Sequence, residues 1–144
     1  MQAPRSVLAL DVGARRIGVA VASETARLAH PVITLHTDDT LWIGLEQIVE
    51  VENVRLLVVG FPRGLRGQVT AQTQAIEAFV TELRQHFPLP IVMQDEALTS
   101  KHAEAELQAR GKLYTKEEVD ALAATYILED YLTEHKELVF DESL

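Results

Sequence analysis

The stretch SVLALDVGARRIGVAV, residues 6–21, decides the fold. Ser6–Leu10 is a short apolar run that ends in Asp11 and Gly13, and Ile17–Val21 is a second run of the same kind. Two strands joined by a tight connection are expected, because each run has strand length and Gly13 punctuates them. The first run shows no polar alternation, which is the pattern of a central strand buried on both faces.

Outward from this pair, Pro31–Leu35 reads as a third, peripheral strand, since proline is tolerated at a strand start but not inside a central one. Residues 40–52 repeat Leu41, Leu45, Ile48 and Val49 at helical spacing, with acids on the other side. Arg55–Val59 is the next strand, punctuated by Gly60 and Pro62, and the RGLRG segment after it reads as a loop. Thr70–His86 places Ala75, Ile76, Phe79, Val80 and Leu83 on one stripe and stops before Pro88 and Pro90. Ile91–Met93 forms another strand that leads into Asp95 and Glu96. Thr99 or Ser100 is placed to cap a helix closed by Gly111, and Thr115 with Glu118 makes a capping-box pattern for the last helix.

Strand, strand, strand, helix, strand, helix, strand, helix, helix is the order of an α/β domain. A mixed five-stranded sheet flanked by helices is expected, with right-handed crossovers between its later strands. The length of 144 residues fits a single domain over residues 1–144, with an acidic peripheral tail at about 133–144. Leu138, Val139 and Phe140 give that tail the means to pack back or to add an edge strand.

Hydrophobic residues make up 47% and charged residues 24%, which excludes disorder as a description of the whole chain. No apolar run approaches the roughly 18 residues needed to span a bilayer, and the N-terminus lacks a signal-peptide pattern. Without cysteine there is no disulfide framework and no thiolate for zinc or nucleophilic chemistry. A cytoplasmic protein with no membrane association is the expectation. The net charge of -9 argues against non-specific coating of nucleic acid. All of that charge lies in residues 77–144, with 15 acids against 6 bases, so the arginine-bearing loops of the first half remain available to a polyanion.

In open α/β sheets, sites gather at the carboxyl ends of strands. Asp11 and the Asp95–Glu96 pair lie at such ends, and Gly60 marks the same end of the strand between them. Asp120 lies in the first turn of the last helix, where the short side chains of the ALAA run at 121–124 permit a close approach to the sheet. Each has a plain structural reading too: Asp11 before Gly13 is a turn signal, and Asp120 is favoured by the helix dipole alone. Three carboxylates held together need a cation, and an oxygen-only donor set points to magnesium or manganese. Such ions support phosphodiester hydrolysis. Arg15 and Arg16 in the first turn, and Arg63 and Arg66 in the later loop, are placed to contact phosphates without reading bases. Gly13, Gly64 and Gly67 serve turns with unusual dihedrals, and Gly13 and Gly60 count as supporting residues of the site. The GLRG loop lacks the spacing of a nucleotide-binding P-loop, and the histidines have no ligand spacing. Trp42 reads as a packing anchor.

Four strings carry a resemblance: LALDVGARRIGVAVA at 8–22, VVGFP at 58–62, DEALTS at 95–100 and VDALAATYIL at 119–128. Together they resemble the motifs of the YqgF/RuvX family, over about 120 residues of this chain. The resemblance implies an RNase H-like fold, relationship to Holliday junction resolvases, and a nuclease that processes precursor 16S ribosomal RNA. It aligns Asp11 with the first-strand catalytic aspartate, Glu96 with the glutamate of the family's DER motif and Asp120 with the acid of the last helix. These three would hold Mg2+ or Mn2+ against a scissile phosphate, with Arg16 holding substrate or the site loop. Asp95 takes a supporting role, because alternation along a strand turns it away from Glu96.

Two positions depart from the pattern: Ala97 stands where an arginine is expected, and Arg66 stands where an aspartate is usual. A metal-dependent endonuclease acting on structured RNA is therefore the leading expectation, with ribosome-associated proteins as partners. A resolvase acting on branched DNA is the enzymatic alternative, and a non-catalytic RNA-binding or ribosome-associated protein is the other. A monomer or a homodimer suits these readings, and a resolvase of symmetric junctions would dimerise. A sugar-kinase or ATPase reading of the N-terminal DxG is disfavoured, because one short domain lacks a second lobe to enclose ATP.

Overall fold

Five strands and four helices follow one another in the described part of the chain: β1 (Ser6–Val12), β2 (Arg16–Ser23), β3 (His30–His36), α1 (Leu41–Val51), β4 (Val54–Pro62), α2 (Ala71–His86), β5 (Ile91–Glu96), α3 (Thr99–Ala109) and α4 (Lys116–Glu134). The computed structural model describes residues 3–62, 70–96, 99–111 and 113–140. The sheet order is β3-β2-β1-β4-β5, so the all-apolar β1 is the central strand. β1 pairs antiparallel with β2 and parallel with β4, and β5 extends the parallel half. This is the mixed, helix-flanked sheet of an RNase H-like α/β fold.

The strands run further than their apolar patterns because the ladders continue past the apolar residues. Asp11 still pairs with Gly18, and Asp95 and Glu96 pair with Phe61 and Pro62. β3 lies at the sheet edge, where Pro31 meets Ala20 beside a local irregularity in register.

Alternation divides the core into two layers. Leu8, Leu10, Val19 and Val59 face α1 and α2, meeting Leu45, Ile76 and Leu83. Trp42 stacks between Phe79 and His86 on that side, with ring centroids at 5.5 and 3.9 Å, and so acts as a packing anchor. Val7, Ala9, Ala20, Leu56 and Val58 face α4, meeting Ala124, Ile127 and Leu128. α3 touches the outside of α4 through Ala103, Leu107 and Val119.

Capping is local and readable. Thr70 and Thr73 form a reciprocal capping box on α2, as do Thr115 and Glu118 on α4. α3 already includes Thr99, and Gly111 beyond its end takes φ +70°, a conformation that favours glycine. Arg27 donates to the main-chain oxygens of Leu132 and His135 at 2.8 Å each, which satisfies carbonyls at the end of α4. Past α4, Leu138 and Phe140 pack back on the α4-side core, with Phe140 only 8% exposed. Residues 141–144 of the expected tail lie outside the described residues.

Candidate active site

Asp11 follows Val7 and Ala9 along β1, so alternation turns it to the α4 side of the sheet. Directly across the β1–β2 pair stands Gly18. A Cβ at Gly18 would lie 1.9 Å from the main-chain oxygen of Asp120, so the missing side chain is what lets the start of α4 rest on the sheet. On the other flank of β1, a Cβ at Gly60 would lie 2.4 Å from Ile127 Cδ1. Two glycines on the strands that flank β1 thus seat α4 over Asp11, and Asp120 arrives in its first turns.

The electrostatics record that proximity. Asp11 is pushed up to about 6, first by burial and then by the negative charge of Asp120. Asp120 accepts a hydrogen bond from Arg16 Nε at 2.6 Å, within a half-buried ion pair. Asp11 has no such cation among the described residues. A partly buried carboxylate beside a second carboxylate is an unfavourable arrangement for the protein alone. A divalent cation would relieve it, and two carboxylates without nitrogen or sulfur donors suit magnesium or manganese. The residues present therefore fit such an ion.

Glu96 ends β5, its backbone paired with Pro62 at the same carboxyl rim and two positions beyond Gln94. Its side chain lies outside the described residues, and among the described residues no three His, Asp or Glu side chains converge as a ligand set. Gln94 donates from Nε2 to Glu134 Oε2 of α4 at 2.7 Å. Asp95 lines a groove with Phe61, Val80, Arg84 and Met93. The Asp11–Asp120 pair and Asp95 are thus on opposite sides of the sheet.

The turn between β1 and β2 is braced rather than loose. Gly13 donates its N–H to the Arg16 oxygen at 3.0 Å, and a Cβ at Gly13 would come within 2.8 Å of that oxygen. Thr37 donates its N–H to the Arg15 oxygen at 3.0 Å and its hydroxyl to the Ala14 oxygen at 3.1 Å. The Arg15 side chain is left exposed beside the rim, with no hydrogen bond or ion pair to a described residue. Arg63, Arg66 and Ala97 lie outside the described residues. The residue that sequence reasoning passed over is Gly18. Its signal was present, because glycine inside an apolar strand marks close approach of another backbone.

The family model described as "RuvX: Holliday junction resolvase" matches residues 5–134. A protein of Chloroflexus aggregans named "Putative pre-16S rRNA nuclease" is 40% identical over 132 residues, 89% of this chain and 93% of that protein. Proteins of the same name from Synechocystis and Haemophilus ducreyi are 36% and 33% identical, each covering 88% of this chain and 86% and 94% of their own. Among solved structures, Thermus thermophilus RuvC in complex with a Holliday junction substrate aligns with a TM-score of 0.50 and 17% identity, covering 90% of this chain and 96% of that one. The Fowlpox virus resolvase bound to junction DNA aligns with the same TM-score at 11% identity, covering 90% and 97%. These two likenesses concern the fold.

Proposed function

The chain belongs to the RuvX family, and from that premise we propose that it is a divalent-metal-dependent endonuclease that cleaves structured RNA in the cytoplasm, in maturation of precursor 16S ribosomal RNA. The observation that carries the reading is the approach of Asp120 to Asp11, made possible by Gly18 at the carboxyl end of the central strand. The names of relatives that this chain matches over most of its length support the substrate.

In this reading Asp11, Asp120 and Glu96 hold magnesium or manganese. The ion, when bound, would polarise the scissile phosphate and acidify a water. The protein's own work is positional. Arg16 aims the Asp120 carboxylate through its Nε hydrogen bond, beside the partly buried Asp11. The braced turn at Gly13 presents Arg15 to the substrate backbone, and Arg63 and Arg66 are the further phosphate contacts that this reading assigns from the sequence. Gly60 keeps β4 low beneath α4. Asp95 supports the end of β5 from the opposite face. Ribosome-associated proteins would act as partners in delivering the precursor.

Junction resolution is the second reading, favoured by the description of the matching family model. Cleavage of matched panels of precursor 16S RNA, unrelated structured RNA and four-way DNA junctions separates the two, with magnesium or manganese present. Selective cutting of the precursor, abolished in Asp11→Asn and Asp120→Asn, is the expected result. Junction cutting with untouched RNA would install the resolvase. Binding of RNA without cleavage by folded, metal-loaded parent protein would install a non-catalytic role.

A further inference from the structure

Beside the Arg16–Asp120 pair, α3, the 113–115 connection and the first turns of α4 form an open cleft of about 420 Å3 lined by Arg16, Glu104, Tyr114, Lys116, Val119 and Asp120. Its size falls in the range of about 300–1,000 Å3 typical of small-molecule sites. Two of its walls, Arg16 and Asp120, belong to the candidate active site, so whatever fills the cleft adjoins the reacting phosphate.

The remaining walls have the chemistry of a nucleotide. Lys116 lies one helical turn before Asp120, so both side chains reach the same face of α4. It is exposed and has no ion pair or hydrogen bond with a described residue, although residues 77–144 carry 15 acids against 6 bases. A cation left uncommitted at the rim of so acidic a half is available to a phosphate. Tyr114 is half-buried against the α3–α4 contact, and its hydroxyl accepts a hydrogen bond from Gln108 Nε2 at 3.1 Å. A ring held at its edge in this way makes a stacking surface with little entropy left to lose. Glu104 repels phosphate from its own wall and so confines it to the side of Lys116 and Arg16. The Glu104 side is left to a base or sugar that offers N–H or O–H donors.

We propose that this cleft is the subsite for the RNA nucleotide next to the scissile phosphate, with Lys116 on the flanking phosphate and the Tyr114 ring stacked on the base. The inference rests on the nuclease reading above and deepens it.

Two measurements test it. In the first, the full chain carrying Asp11→Asn is irradiated with precursor 16S RNA containing 5-iodouridine, and adducts are mapped by mass spectrometry. An adduct at Tyr114 is expected. In the second, Lys116→Gln and Tyr114→Leu in the cleavage-competent chain each raise KM about tenfold, with kcat unchanged. Lys116→Gln lowers the slope of log affinity against log salt by about one, and Lys116→Arg restores it. Tyr114→Phe, which keeps the ring but loses the bond from Gln108, raises KM less than Tyr114→Leu does. Adducts only elsewhere, or Lys116→Gln with unchanged KM and salt slope, would overturn the subsite while leaving the nuclease intact. An adduct at Tyr114 in a chain whose parent cuts no RNA would sink the nuclease reading and with it the place next to a scissile phosphate, leaving the cleft as an RNA-binding surface.

Discussion

Asp11 illustrates how a site residue costs its own fold stability. Its carboxyl is pushed up to about 6 from an ordinary value of 3.8, chiefly by burial, so the folded chain binds a proton that the unfolded chain releases. Between those two values the folded state holds more protons, and stability therefore rises as pH falls from about 7 towards 4. A shift of roughly two units corresponds to about 3 kcal/mol at most, which is large against the stability of a small domain. Glu24 and Asp38 are both held below their ordinary values by hydrogen bonds, so their contributions are lost only at still lower pH. Asp11→Asn is accordingly expected to be more stable than the parent at pH 7 without added metal, with the gap closing by about pH 4. Urea titrations of both proteins across that range check this, and equal stabilities at pH 7 would remove the buried charge from the account.

For the elements, the decisive contact is the seating of α4 on β2 and β4. Gly18 meets main chain, which cannot rotate away, whereas Gly60 meets the end of the Ile127 side chain, which can. Gly18→Ala is thus expected to cost about 3 kcal/mol and to lower kcat by displacing Asp120, while Gly60→Ala costs about 1 kcal/mol. Urea midpoints and turnover of the two variants check the ranking; equal losses would mean that α4 shifts as freely over either strand. Much of this architecture was legible beforehand. The unbroken apolar run at 6–10 announced a central strand, and Thr115 with Glu118 announced the start of α4. What stayed hidden was relational. Asp11 and Asp120 are 109 positions apart, and only the crossover order and Gly18 determine that they meet. Strand ends were underread for a related reason: hydrogen-bond ladders with a neighbour carry β1 and β5 past their apolar residues. The second role of Arg16 was equally invisible, because a loop arginine looks the same in sequence whether it meets a phosphate or a carboxylate.

In the molecule as a whole, the sheet separates chemistry from closure. The carboxyl ends of β1, β4 and β5 form the rim with Asp11, while the opposite end gathers the terminal segments. There Ser6 donates its N–H to the Asn53 oxygen, Asn53 donates to the Ala3 oxygen, and Arg5 pairs with Glu24 at 2.9 Å. The same Arg5 guanidinium lies 4.3 Å from the centre of the Phe140 ring, which closes the α4-side core beside Tyr131 and Leu132. The tail is thereby tied down at Leu138 and Phe140, beside Arg5 and so six positions from Asp11, or about 20 Å along β1. At that distance its packing and the chemistry should be separable. Phe140→Ala is expected to remove about 2–3 kcal/mol of stability, less than a central phenylalanine because the chain end can relax. KM and kcat measured well below the melting range should stay at parental values. A fall in kcat without a matching loss of stability would mean that the tail communicates with the rim through α4, whose C-terminal carbonyls Arg27 also holds.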